Sequence, residues 1–423
     1  MKLFNNTFLK DFIQRDGLYI FTSSILTKVA NFFLSIIIVR FINKTDYGNL
    51  TYAMSIIVFA SGFKGFGLNH SLLRFGSIEK DKNKQKSLYL YSLKYGMLGS
   101  LFFILIIILF SKYLVINKPN SYIYLILLSI GLLTSFPYLL LLSKLRITNK
   151  NKQFSKVQFL YSFLSLLIIG FFTYKYAAFG NVLGTLLVPI LIFVFFTKDN
   201  IFKIFNKLKS MPLNFSKNKP YFKYALFVGF GAIASQFAII SDNLIIGNLI
   251  SNPEKLAIYK VATLIPMNLV FLPNTFLTTD FVYLANNYLN TRILKSYYFN
   301  YLKIFIPITI LISVVLWSLS NYYIPFLFGE KYIDAIKILE ILIFGLIALF
   351  LLRIPLGNIL AAIGKANWNT YNAFFLVLLN IPLTIIFVIN YGVIGAAYAT
   401  IFVFWISGLI SLGLFYYYLK KIK

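Results

Sequence analysis

The chain has 423 residues, is 59% hydrophobic and only 12% charged, and carries a formal net charge of +28. No water-soluble domain hides so large an apolar fraction, so a soluble fold is excluded. The absence of cysteine excludes disulfides, thiolate metal sites and thiol catalysis.

Apolar runs recur along the whole sequence. In the first half they fall at about Gly17–Ile42, Tyr47–Leu68, Leu88–Val115, Ser121–Leu142, Phe154–Tyr174 and Asn181–Phe196. In the second half they fall at about Tyr224–Ile250, Leu256–Leu284, Tyr301–Leu319, Ile333–Ile359, Asn367–Asn390 and Val393–Leu419. A helix rises about 1.5 Å per residue, so roughly 20 apolar residues cross a hydrocarbon core about 30 Å thick. The pattern predicts an all-α membrane protein of twelve transmembrane helices. They divide into two six-helix bundles, 1–197 and 224–423, joined by a basic cytoplasmic linker, 198–223, with a short amphipathic stretch at Ile201–Leu208 suited to the membrane surface. Two such halves are expected to be related by pseudo-two-fold symmetry, with a central cavity between them. The first apolar run is too long for a cleavable signal and has no small-residue cleavage site.

Lysine and arginine set the orientation. With both termini in the cytoplasm, the inner segments hold 27 of the 40 and the outer ones nine. That ratio follows the positive-inside rule and supports this orientation, and the expected location is a bacterial inner membrane, as a multi-pass protein. The positive charge is thus spread over cytoplasmic loops, where anionic lipids are its expected partners. No nucleic-acid partner is expected. Tyr416–Tyr418, Tyr122 and Tyr124 read as interfacial anchors.

Four cations remain inside the spans: Lys28, Lys64, Lys94 and Arg353. A charge at mid-bilayer costs several kcal/mol and needs a partner, a hydrated cavity or a route to the interface. Lys28 sits near the middle of the first span. Ser24, Lys28, Asn31 and Ser35 recur at helical spacing and form one polar face, as expected for a substrate-facing cavity. Asp242 in the seventh span, with Ser235 and Asn243 near it, is the complementary acid, and pairing between Lys28 and Asp242 is one expectation. Lys64 and Arg353 lie toward the cytoplasmic ends of their spans and are candidates for an inner vestibule. Candidate substrate-binding residues are therefore Ser24, Lys28, Asn31, Lys64, Asp242 and Arg353. Lys94 reads as a residue that snorkels, Lys337–Glu340 as a structural pair, and His70 as a solvated loop histidine. Gly62, Gly65 and Gly67 predict a flexible or closely packed inner end of the second span; Pro266, Pro273 and Pro355 predict kinks. No nucleotide-binding loop, paired carboxylates or Ser-His-Asp set stands out, so neither catalysis nor a cofactor is expected.

Several segments carry a resemblance. DYGNLTYAMS after the first span, SDNLIIGNLISNPEKLAIYKVATLI (Ser241–Ile265), FGEKYIDAIKILEIL (Phe328–Leu342), NILAAIGKANW (Asn358–Trp368) and INYGVIGAAYAT (Ile389–Thr400) together resemble polysaccharide-unit flippases. These form the O-antigen/polysaccharide branch of the multidrug/oligosaccharidyl-lipid/polysaccharide exporter superfamily. Lys44-Thr45-Asp46-Tyr47-Gly48 departs from the commoner Pro-x-Glu-Tyr-Gly, and Ala257 stands where Gly is usual. The resemblance implies translocation of an undecaprenyl-diphosphate-linked oligosaccharide from the inner to the outer leaflet, alongside a glycan polymerase and other polysaccharide-assembly proteins. Three alternatives share parts of this pattern. A multidrug/cation antiporter would favour acidic cavity residues, and a lipid-II flippase generally carries two further helices. A multispan glycan polymerase would show a long outer loop. For the topology, reporter fusions within 198–223 should read as cytoplasmic and within 117–120 as external; an external linker would overturn the assignment.

Overall fold

Helices are the one solution open to a chain that must satisfy its own backbone polar groups within hydrocarbon. The computed structural model describes residues 17–197 and 219–422, and among them every regular element is helical. In the first half these are α1 (Gly17–Phe41), α2 (Lys44–Ser61), α3 (Leu68–Ile78), α4 (Lys82–Leu114), α5 (Tyr122–Ser129), α6 (Gly131–Ile147), α7 (Asn151–Leu164) and α8 (Gly170–Thr197). Then follow α9 (Lys219–Leu249), α10 (Pro253–Leu269), α11 (Phe271–Thr279), α12 (Phe281–Asn286), α13 (Thr291–Ser318) and α14 (Ser320–Phe328). The chain ends with α15 (Ala335–Ala348), α16 (Ile354–Ala362), α17 (Ala366–Tyr391) and α18 (Val393–Ile422). Most of the linker, including Ile201–Leu208, lies outside the described residues.

Ten helical stretches among the described residues are long and apolar enough to cross a membrane. The difference from the expected twelve has two sources. One stretch, Asn151–Thr197, is 47 residues long and turns back on itself at Tyr176 and Ala177, so it holds two of the expected runs. The 31-residue α9 is the expected seventh run and is not among the ten. The chain is thus a multi-pass membrane protein.

It folds as two compact units, Met1–Gln236 and Phe237–Lys423, and their boundary falls inside α9. In the first unit Leu68, Leu72, Leu93, Phe136 and Leu140 form a buried core. The start of α9 belongs to it: Ser71 donates to the Tyr221 carbonyl at 2.7 Å, the Tyr221 hydroxyl stands 2.6 Å from Ser92 Oγ, and Ala225 is fully buried. In the second unit Leu294, Leu356, Ile359, Leu360 and Phe415 play the corresponding part.

The halves share local devices. Asn43 caps α2 by accepting from the Asp46 amide, and Asn252 caps α10 by accepting from the Glu254 amide. Asp81 and Asn290 cap α4 and α13 in the same way. Asn43 to Asp81 and Asn252 to Asn290 are separated by equal numbers of residues. Each cap contributes about 1 kcal/mol and fixes where a helix begins. The late helical hairpins also match: Ala177 (φ 49°, ψ −128°) and Gly392 (φ 61°, ψ −144°) take the same left-handed turn after Tyr176 and Tyr391. Gly180 and Gly395 then lie against the carbonyls of Phe172 and Phe387, leaving no room for a Cβ.

The expected breaks occur. After α2 the chain runs through Gly65, Phe66 and Gly67 with φ of 60°, 53° and 71°, and the Phe136 ring fills the space beside Gly65 and Gly96. Pro266 lies in the last turn of α10, just before the helix breaks at Val270, and Pro273 lies in the first turn of α11. A π-turn at Leu349–Arg353 precedes Pro355. Other expectations are corrected. His70 lies in the first turn of α3, not in a loop. Tyr124 and Tyr418 are buried rather than interfacial; Tyr418 donates to the Tyr288 carbonyl at 2.9 Å. Glu340 accepts from Ser320 at 3.4 Å, while Lys337 lies exposed.

The turn at Ala177 yields a test. A non-glycine residue in that region carries roughly 1–3 kcal/mol of strain. Ala177→Gly should therefore raise the unfolding temperature in detergent, and Gly392→Ala should lower it.

Candidate functional site

Each unit holds polar groups of its own within the spans. In the first unit, α1 packs through Leu34 and Val39, while Lys28 and Asn31 remain exposed and Ser24 half-buried. The predicted polar stripe therefore points away from the apolar packing of its own bundle. Lys64 stands at the break after α2, where its Nζ donates to Ser135 Oγ on α6 at 3.0 Å. The same break is closed by the Gly65 amide, which donates to Ser100 Oγ at 3.2 Å. A hydroxyl partner, unlike a carboxylate, supplies no counter-charge to the lysine.

In the second unit the main polar centre is Asp242. Its Oδ2 accepts from the Tyr259 hydroxyl on α10 at 2.8 Å and from Thr400 Oγ1 on α18, also at 2.8 Å. Its Oδ1 accepts from Asn380 Nδ2 at 3.0 Å and lies 3.3 Å from Thr384 Oγ1, both on α17. Asn380 Nδ2 also donates to Ser241 Oγ at 2.9 Å, and the Thr400 hydroxyl lies 2.9 Å from the Ala396 carbonyl. Four helices thus converge on one carboxylate, and their donors are neutral. Hydrogen bonds to a charged acceptor contribute about 1.5–3 kcal/mol each, which offsets the cost of holding an ionised group in a span.

Arg353 lies at the end of the π-turn. Its Nη1 is 3.5 Å from Asn369 Oδ1, and its guanidinium packs on Gly357. Asn369 is itself held by a bond from Nδ2 to the Gly357 carbonyl at 2.6 Å. Asn358 and Asn274 extend this polar patch. Among the described residues none of Lys28, Lys64 and Arg353 has a carboxylate within ion-pair distance.

Sequence reasoning found Asp242 but missed its shell. Asn380 and Thr384, one helical turn apart in an otherwise apolar run around Pro382, were the available signal, and Tyr259 and Thr400 both sit in the quoted segments. Lys260, counted with the outer-side cations although it falls within the Leu256–Leu284 run, lies inside α10. Asn252 at the cap with Pro253 and Glu254 in the first turn starts that helix slightly before the run does.

The fold has known counterparts. A structure of the lipid II flippase MurJ in an inward closed conformation aligns with a TM-score of 0.74 at 19% identity, covering 95% of this chain and 89% of that one. An inward-facing multidrug resistance MATE family transporter of the MOP superfamily aligns with a TM-score of 0.75 at 15% identity, covering 94% and 95%. A MOP superfamily transporter from Pyrococcus furiosus, described as having a binding pocket of reverse polarity, aligns at 0.64 and 15% identity, covering 97% and 96%. Comparison with curated protein sequences gave no significant match.

The Asp242 shell gives the next test. Asp242→Ala leaves the donors of Tyr259, Asn380, Thr384 and Thr400 without their shared acceptor. It should destabilise the protein by roughly 1–3 kcal/mol, seen as a lower unfolding temperature in detergent, with Asp242→Asn losing less. An unchanged melt for Asp242→Ala would show that the network carries no stability. The profile of a family described as polysaccharide biosynthesis protein matches residues 37–337, well over half of a chain whose fold is that of MOP superfamily transporters, and the protein belongs to that family.

Proposed function

We propose that this protein is a flippase that moves an undecaprenyl-diphosphate-linked oligosaccharide from the cytoplasmic to the outer leaflet of a bacterial inner membrane, by alternating access. Both termini are then cytoplasmic, and a glycan polymerase and other polysaccharide-assembly proteins act beside it. The observation that carries this reading is the charge balance within the spans. Lys64 is held by a serine hydroxyl and Arg353 by an asparagine amide, while Lys28 is exposed on its helix. Asp242 is satisfied by neutral donors of its own unit. The excess positive charge suits a diphosphate, whose desolvation a nearby cation offsets. A cationic drug would meet repulsion at the same places. The description of a MOP transporter with a pocket of reverse polarity indicates that pocket charge varies within this fold. A lipid-II flippase is the second reading, supported by the MurJ likeness.

The test is depletion followed by analysis of the lipid-linked glycans. Complete oligosaccharide units should accumulate, still lipid-linked and facing the cytoplasm. Accumulation of units already facing outward would favour a polymerase, and accumulation of lipid II would favour the second reading. Lys28→Ala should abolish or sharply reduce export at normal protein abundance, and Lys28→Arg should retain part of it, because the charge persists with altered hydration and geometry. Normal export by a stable Lys28→Ala variant would remove Lys28 from the substrate path.

A further inference from the structure

The second unit has a pocket of about 520 Å³ that none of the above uses. Three segments build it: the junction of α9 and α10, the start of α15, and the turn between α17 and α18. Its volume falls within the roughly 300–1,000 Å³ of small-molecule sites.

The chemistry of the wall is specific. Lys255 and Lys337 both line it, and among the described residues neither has a carboxylate within ion-pair distance. Asp334 is the single carboxylate on the lining, so the wall is net cationic. The floor is aliphatic, from Ile258 and Ile338 among others, and Tyr391 stands at the rim with 61% of its surface exposed. At Gly392 an added methyl group would meet no atom within 4 Å, so the turn borders open space.

Shape separates the possible ligands. All the lining residues lie within about two turns of a helix end, so the pocket sits at one end of the helices that build it. An acyl or prenyl chain needs a long channel. The first unit has an open apolar depression on its surface, where Phe33, Ile37 and Phe41 follow one face of α1 beside Phe171 and Tyr174. The second-unit pocket instead offers a flat aromatic ring, an aliphatic floor for ring C–H groups and two ammonium donors. Those features match a sugar ring that carries an acidic substituent.

We propose that Lys255, Lys337 and Tyr391 form a binding site for an acidic saccharide, a sugar bearing a carboxylate or phosphate group. The inference deepens the flippase reading and rests on it for orientation, which places this pocket on the outer face. There it would receive the glycan after translocation, or hold a glycan already exported.

The test uses the purified full-length chain in a neutral detergent, titrated calorimetrically with glucuronate, glucose and inorganic phosphate. Glucuronate should bind at least ten-fold more tightly than glucose and than inorganic phosphate. The double variant Lys255→Gln/Lys337→Gln should lose at least ten-fold in glucuronate affinity with an unchanged unfolding temperature, and Lys255→Arg/Lys337→Arg should retain most of it. Tyr391→Ala should weaken glucuronate but leave phosphate binding unaltered. Equal binding of glucose and glucuronate, or full affinity in the double glutamine variant, would overturn the proposal. Phosphate binding as tight as glucuronate would reduce the site to a bare anion site, and competition by phosphatidylglycerol vesicles would reassign it to lipid headgroups; either overturns the saccharide assignment. Were the Gln variants to unfold, failure of the well-folded Tyr391→Ala variant to weaken glucuronate would still decide against it. None of these results bears on the depletion experiment, so the two readings fail separately.

Discussion

Backbone satisfaction within hydrocarbon governs this molecule more than any side-chain contact does. A peptide group without a partner costs several kcal/mol in that solvent, so each departure from the helix must be closed locally. The departures in this chain are closed in recognisable ways. Gly65 and Gly67 take left-handed conformations where α2 ends, and the Gly65 amide finds the Ser100 hydroxyl. Gly180 and Gly395 allow two helices to touch through a carbonyl oxygen. Glycine is thus used where the path of the chain, not its polarity, is the constraint.

The same solvent disciplines charge. Asp242 is accommodated because three helices, α10, α17 and α18, bring neutral donors to it, and its shell ties them to α9. The cations are treated differently. Lys64 and Arg353 each have one neutral partner in place of several, which leaves donor capacity for something else. The acid is enclosed by donors of its own unit, whereas Lys64 and Arg353 are each only partly satisfied.

Much of this was legible in the sequence, for identifiable reasons. Span length and loop charge follow from one-dimensional physics, and the runs read from hydropathy reappear as helices. The prolines and the Gly62–Gly67 cluster announced breaks because their effect is local. What stayed hidden depended on contact. Nothing in the sequence marks Asn380 or Ser135 as the partner of Asp242 or Lys64, because those pairs are far apart in the chain. The burial of Tyr418 was misread for a related reason. A tyrosine near a run of lysines suits the interface equally well, and only the carbonyl of Tyr288 decides the matter. Hydropathy begins α10 at its first apolar residue, Leu256, whereas the cap begins it earlier, at Pro253.

The position of α9 bears on modularity. Tyr221 and Ala225, which complete the core around Leu68 and Leu72, lie in the first turns of α9, Tyr221 among the last residues of the basic linker. A fragment made of the first six helices alone would expose that face and leave Ser71 and Ser92 without their acceptor and partner. The two halves resemble each other in caps and turns, yet the core of the first is shared with the start of α9. During synthesis, Tyr221 and Ala225 follow all the other buried residues of that core, so its last part is made at the opening of the next half.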